Sequence, residues 1–188
     1  MNNQYLITDE TSAKYFNRTT RGITRKFIDN LLSELISLKP NTVLDIGCGT
    51  GYITNIMSHE LDSTVIGCDM DINRISFARD NLAQEVIIGD IMHLPFKDNS
   101  FDVVVASEII EHILSPRIAL NEIRRVSKKF IIITVPNEPY FRIANVCRAK
   151  NLKSFGNPPD HINHYNKKSL DRLLVKYFKM YEITHNSH

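Results

Sequence analysis

Apolar positions along the chain follow two rhythms. Five short runs, "TVLDIG" (42–47), "TVIGCD" (64–69), "EVIIGD" (85–90), "FDVVVAS" (101–107) and "FIIITVP" (130–136), are rich in Val and Ile and mostly lack alternation. Strands covered on both faces look like this, as in a parallel sheet. Helical patterns separate most of the runs. Ile23, Phe27, Leu31 and Leu35 recur every fourth residue before the first run, and further helices are predicted over 52–61 and 73–83. After the fourth run, Ser115 and Pro116 form an N-cap and first-turn proline for a helix reaching about residue 127. The connection "IMHLPFKDNS" between the third and fourth runs reads as a turn. Late in the chain, 166–178 reads as a long helix and "MYEITHNSH" as one more strand.

Alternating strands and helices predict an α/β fold, a doubly wound and mostly parallel sheet with helices on both faces. Its ligand belongs beyond the C-terminal ends of the strands. The 188 residues suit a single domain. Residues 1–40 are expected to form a helical cap, 41–137 a ligand-binding core, and 138–188 an irregular loop followed by the last helix and strand. The stretch 150–165, "KNLKSFGNPPDHINHY", is long and irregular enough to be functional.

Charge changes the picture only locally. Lys and Arg number 23 against 21 Asp and Glu, yet from residue 139 on nine basic residues face only Asp160, Asp171 and Glu182. That third is either a solvated face or a docking surface for an anionic substrate, RNA included. Cys48, Cys68 and Cys147 have no metal-like spacing, and the first two sit in apolar runs where Cys acts as a small hydrophobe. The N-terminus "MNNQYLITDE" has neither a basic n-region nor an apolar h-region. No apolar run approaches the ~20 residues that span a bilayer. A cytoplasmic location is the expectation; nothing in the pattern bears on oligomeric state.

The densest chemical signal is "DIGCGTG". Gly47, Gly49 and Gly51 follow a strand and open a helix. A G-x-G-x-x-G dinucleotide fingerprint fails because position 52 is Tyr52, and no Lys-Ser/Thr follows to make a triphosphate loop. The spacing is G-x-G-x-G, with Asp45 two residues before the first glycine. Glycines here let the backbone turn tightly and let a ligand lie against the peptide groups. A tight turn with no ligand is the bland alternative. Asp69 ends the second run, where an acid can accept both ribose hydroxyls. Asp90 ends the third, where a carboxylate can accept from an exocyclic amine, and Met70 and Ile91 can sandwich a flat base. Acids at three successive strand ends beside a glycine loop make a nucleoside-shaped constellation.

With "LDIGCGTG" the chain resembles the class I S-adenosylmethionine-dependent methyltransferases, most closely the small-molecule (type 11-like) kind, over about residues 20–180. The resemblance implies S-adenosylmethionine as cofactor. Asp45, Gly47, Gly49 and the adjoining Gly51 would hold its methionine part, Asp69 its ribose, and Met70, Asp90 and Ile91 its adenine. Ser107 would sit near the sulfonium, and Arg21 is a loose match for a carboxylate partner. Two departures stand out. "SEIIEH" replaces the Asn-Pro-Pro-Tyr that some amino-group methylases carry after the fourth strand; "NPPD" occurs only at 157–160, where it reads as loop. The chain also has material for a sixth strand and none for the family's seventh.

Acceptor chemistry falls on two segments. Glu108, Glu111 and His112 are spaced so that one helical turn presents them together. His161 and His164 come from the irregular loop. His112 or a loop histidine suits a general base for a hydroxyl. A divalent ion held by Glu108, Glu111 and His112 is the alternative. E-x-x-E-H followed by D-H resembles the small-RNA 3′-end 2′-O-methyltransferases, and a similar E-x-x-E-H occurs in ubiquinone-pathway O-methyltransferases. The expected activity is methyl transfer to oxygen of a small molecule, with catalytic candidates Glu111, His112, His161 and His164. Two alternatives stay open: 2′-O-methylation of an RNA end, and a non-catalytic cofactor-binding module that completes a partner enzyme.

Overall fold

The computed structural model describes residues 21–82, 84–136, 161–179 and 182–183. All five expected strands form: β1 Thr42–Ile46, β2 Thr64–Asp69, β3 Glu85–Ile88, β4 Phe101–Ser107 and β5 Ser127–Thr134. They pair in the order β3-β2-β1-β4-β5, and every pairing is parallel. Helices α1 Arg21–Leu38, α2 Tyr52–Glu60, α3 Ile72–Asn81, α4 Pro116–Val126 and α5 Lys167–Leu174 complete the described architecture. Strand order reverses between β1 and β4, and in open α/β sheets the crevice at that reversal takes the ligand.

The alternation hidden in the apolar runs sorts the two layers. Val43 of β1 with Val103 and Val105 of β4 pack against Leu31 and Leu35 of α1 and Met57 of α2. Leu44, Ile46, Val104 and Ala106 face the other way, onto Leu120 and Ile123 of α4 and Leu170 and Leu174 of α5. Both faces are covered, which is why the runs lack a polar alternate.

Several boundaries differ from expectation. β5 begins at Ser127, directly off the end of α4, with a register shift against β4 between Phe101 and Val103. Ser115 stands at the N-cap of α4, but its side chain makes no capping bond; Ile118 and Ala119 donate to its carbonyl instead. α5 is shorter than 166–178. It opens on a reciprocal capping box in which Asn166 accepts from the Ser169 N–H and Ser169 Oγ accepts from the Asn166 N–H. Apart from 182–183, the expected last strand lies outside the described residues, as do "NPPD", Cys147 and Arg142, Arg148, Lys150 and Lys153.

One side chain braces the turn between β3 and β4. Arg125 of α4 donates to the Leu94 and Phe96 carbonyls and to the carboxylates of Asp98 and Glu122. Glu122 in turn accepts from the Leu94 N–H, and the Arg125 guanidinium holds its carboxyl below the usual range. Hydrogen bonds to charged groups contribute about 1.5–3 kcal/mol each when enclosed. Arg125 is partly exposed, so screening reduces its share. Arg125→Ala is expected to destabilise the protein by about 2 kcal/mol. Arg125→Lys should recover little of that, because an ammonium cannot reproduce the fork. Denaturant midpoints at constant slope would measure both.

Candidate active site

The three loop glycines all take left-handed backbone angles: φ is 74° at Gly47, 58° at Gly49 and 78° at Gly51. An L side chain would be strained at each. At Gly47 a Cβ would also stand 2.5 Å from Ile109 Cδ1, so the residues just after β4 lie directly against the loop. At Gly49 a Cβ would meet nothing within 4 Å, which leaves a peptide face open to a ligand. The loop hangs on its neighbours: the Gly47 and Cys48 N–H groups both donate to the Cys68 carbonyl, at 2.7 and 3.2 Å.

Asp69, 8% exposed at the end of β2, accepts from the Gly49 N–H at 2.8 Å through Oδ2 and from the Asp71 N–H at 2.9 Å through Oδ1. It braces the glycine loop from below as well as facing the crevice. Asp90 follows β3 half-buried and accepts from the Met92 N–H at 2.8 Å. The two apolar candidates part company. Met70 is 70% exposed, whereas Ile91 packs into the core. Ser107, the last residue of β4, has a buried Oγ with no hydrogen-bond partner among the described residues. Arg21 is exposed at the first residue of α1.

Asp45 lies deepest. Thr54 Oγ1 of α2 donates to its Oδ2 at 2.6 Å. Burial pushes its carboxyl up to about 7; the Thr54 bond opposes that, and the charge of Asp69 adds to it. Between the ordinary value of 3.8 and about 7 the folded chain therefore holds more protons than the unfolded one. Stability from this group falls as pH rises through that window. Asp45→Asn is expected to flatten the fall in the ligand-free protein, measured by denaturant unfolding on either side of the window. A fall of unchanged slope would assign the titration elsewhere. The same burial holds the Cys68 thiol up to about 12 and raises that of Cys48, so both stay protonated hydrophobes.

Beyond β4 the chain does not continue as one helical turn from Glu108. Glu108 has φ 52°, is exposed, and donates its N–H to the carbonyl and Oγ1 of Thr134 at the end of β5. A 3₁₀ turn then runs Ile110–His112. Glu108 thus stands outside the turn that carries Glu111 and His112, because a left-handed residue interrupts the helical path. Glu111 is 1% exposed and His112 half-buried.

The late loop segment is stitched to this turn. Ile162 and Asn163 donate backbone N–H groups to the Glu111 carbonyl at 3.0 and 2.8 Å. Asn163 Nδ2 donates to the Ile113 carbonyl at 2.7 Å and the Ile110 carbonyl at 3.4 Å. His161 consequently meets His112 edge to face, with ring centroids 4.8 Å apart at 85°. Ligating atoms of Glu111, His112 and His161 all lie within 4.8 Å of one another. His164 is exposed, two residues beyond Ile162 on the segment, and Tyr165 next to it is buried; its hydroxyl is pushed up to about 12 by burial, with the charge of Glu111 adding. Asn163 was not legible beforehand: an amide between two histidines belongs to no periodicity, and its role is set by carbonyls about 50 residues away.

An all-parallel sheet of this order, with a glycine loop at the reversal and acids at or just past the ends of neighbouring strands, defines a Rossmann-like α/β domain. Residues 44–132 match the methyltransferase domain family. An uncharacterised protein of Methanocaldococcus jannaschii is 39% identical over 120 residues, covering 58% of this chain and 51% of the relative. A putative methyltransferase of Encephalitozoon cuniculi is 36% identical over 127 residues, covering 64% and 54%. The chain thus spans about half the length of these curated relatives. A crystal structure of a putative methyltransferase from Bacillus halodurans shares the fold with a TM-score of 0.63 at 23% identity, covering 79% of this chain and 67% of that one. These matches support a class I S-adenosylmethionine-dependent methyltransferase domain in the matched segment, residues 44–132. No helix among the described residues is long and apolar enough to cross a membrane.

Proposed function

We propose that this chain is a single-domain cytoplasmic enzyme that transfers the methyl of S-adenosylmethionine to a hydroxyl oxygen of a small molecule. When bound, the cofactor supplies a methyl already activated by a positive sulfur. The residues present fit it: Gly49 leaves an open peptide face, Asp69 ends β2 and Asp90 follows the neighbouring β3, and Ser107 Oγ is a buried polar atom with capacity to spare. Asp45, Gly47 and Gly51 shape the loop for the methionine part. Asp69 has further lone pairs for ribose hydroxyls, while Asp90 and Met70 bound the adenine. Aligning the reactants is worth up to about 7–11 kcal/mol, so most of the work asked of the protein is positional.

The observation that carries the oxygen assignment is the pairing of His112 with His161 beside Glu111, on a turn that Ile109 seats against the glycine loop. A hydroxyl holds its proton at neutral pH, so it needs a base where an already deprotonated nucleophile does not. His164 is exposed three residues after His161 on the same segment.

Titration calorimetry tests the cofactor. S-adenosylmethionine and its demethylated product are expected to bind and NAD is not, because the glycine spacing lacks the third position of the dinucleotide fingerprint. NAD binding without sulfonium binding would overturn the reading. A panel of hydroxyl, amine and thiol acceptors then tests the oxygen assignment. A second reading, 2′-O-methylation at an RNA end, draws support from Lys167, Lys168, Arg172, Lys176 and Lys179, all exposed on or beside α5. Only that reading predicts RNA binding that weakens steeply with salt.

A further inference from the structure

We infer that Asn163 is a positioning residue: its side-chain amide fastens the segment 161–165 to the turn after β4 and so sets how the His161 ring meets His112. That this geometry serves methyl transfer rests on the reading above; the positioning rests on the hydrogen bonds alone.

Asn163 is half-buried and bonds the turn through both backbone and side chain. Its N–H donates to the Glu111 carbonyl at 2.8 Å, and its Nδ2 donates to the Ile113 carbonyl at 2.7 Å and the Ile110 carbonyl at 3.4 Å. Glu111 and Ile113 flank His112 along the chain, and His161 stands two residues before Asn163. One residue thus ties down the peptide groups on both sides of one imidazole and the backbone that carries the other. The two rings are left edge to face with centroids 4.8 Å apart.

Donor chemistry makes the amide hard to replace. The last carbonyls of a helical turn have no partners within it, so they need donors from elsewhere. A primary amide brings two N–H donors on one nitrogen. A carboxylate of the same shape brings none when ionised and sets negative oxygens against the carbonyls. The rest of the late segment is anchored independently: Tyr165, Leu170 and Leu174 bury in one cluster with Leu120 and Ile123 of α4. Loss of the amide should therefore leave the fold in place and act locally. Its effect on the reaction runs through the histidines, because a misplacement of about 1 Å can cost about 10²-fold in rate.

The test compares Asn163→Asp and Asn163→Gln with the parent chain, first without cofactor or acceptor. NMR of the imidazole C–H groups reads the ring pair, since an edge-to-face neighbour shifts ring protons by its ring current. Asn163→Asp is expected to move the His112 and His161 signals and to leave those of His59, on α2, in place. Asn163→Gln keeps the donors on a longer stem and should move them less. Far-UV circular dichroism checks each fold, and Asn163→Ala stands in if the aspartate variant does not fold. His112 and His161 signals unchanged in the folded variant, or an equal shift at His59, would overturn the positioning. The second arm uses S-adenosylmethionine and the best hydroxyl acceptor of the panel. The turnover number should fall about 10–10²-fold in Asn163→Asp at unchanged cofactor KM, with partial recovery in Asn163→Gln. Parent rates in a variant whose ring signals have moved would detach the pair from methyl transfer and leave the positioning standing; parent ring signals sink the positioning whatever the rate.

Discussion

His112→Ala is expected to lower methyl transfer by about 10²–10⁴-fold, the usual worth of a positioned acid–base group. Cofactor affinity should stay nearly unchanged. The imidazole stands on the 3₁₀ turn after β4, against the His161 ring. Its loss therefore falls on the acceptor side of the crevice. In kinetic terms the turnover number should drop with little change in the cofactor's KM. His161→Ala should act in the same direction, whereas His164→Ala, at an exposed position, should cost less. Initial rates with labelled S-adenosylmethionine and the best hydroxyl acceptor would measure all three. Wild-type turnover in His112→Ala would remove the base assignment, and a loss confined to cofactor binding would move His112 to the other half of the site.

Asp69→Ala should weaken cofactor binding by about a hundredfold or more, since each hydrogen bond to a charged group is worth about 1.5–3 kcal/mol and several are lost together. Two losses combine. The ribose hydroxyls would lose their acceptor, and the Gly49 and Asp71 N–H groups would lose the carboxylate that fixes them. Asp69→Asn separates these effects. An amide oxygen can replace one acceptor but not both, so the asparagine variant should fall between wild type and alanine. Calorimetry with the demethylated cofactor gives the affinities, and thermal unfolding of the ligand-free variants reports the loop. An affinity unchanged in Asp69→Ala would take the residue out of the ribose site.

These two residues differ in how far the chain's own pattern announces them. Asp69 closes an apolar run, and a strand buried on both faces can bring a carboxylate to the crevice only at an end, the C-terminal one in open α/β sheets. The same logic marks Asp90 and the glycine loop. Runs of Val and Ile specify parallel strands because both faces need covering, and glycines at 47, 49 and 51 favour left-handed turns because a Cβ strains that conformation. Local chemistry thus determined the five strands, the helices between them and the left-handed glycine loop beside Asp69.

The cluster on the turn after β4 was decided by the tertiary structure. Spacing alone grouped Glu108 with Glu111 and His112, because residues three and four apart share a helical face. The left-handed turn at Glu108 breaks that face, since its N–H is drawn to Thr134 on the neighbouring strand. His161 reaches His112 only because Asn163 and Ile162 close hydrogen bonds onto carbonyls of a turn about 50 residues earlier. Ile91 shows the converse: its position beside Asp90 suggests a base contact, yet packing draws it into the core. Periodicity reports which face of an element is buried. It carries no information on which distant loop will satisfy the open carbonyls of a 3₁₀ turn, because that choice depends on backbone groups every residue shares.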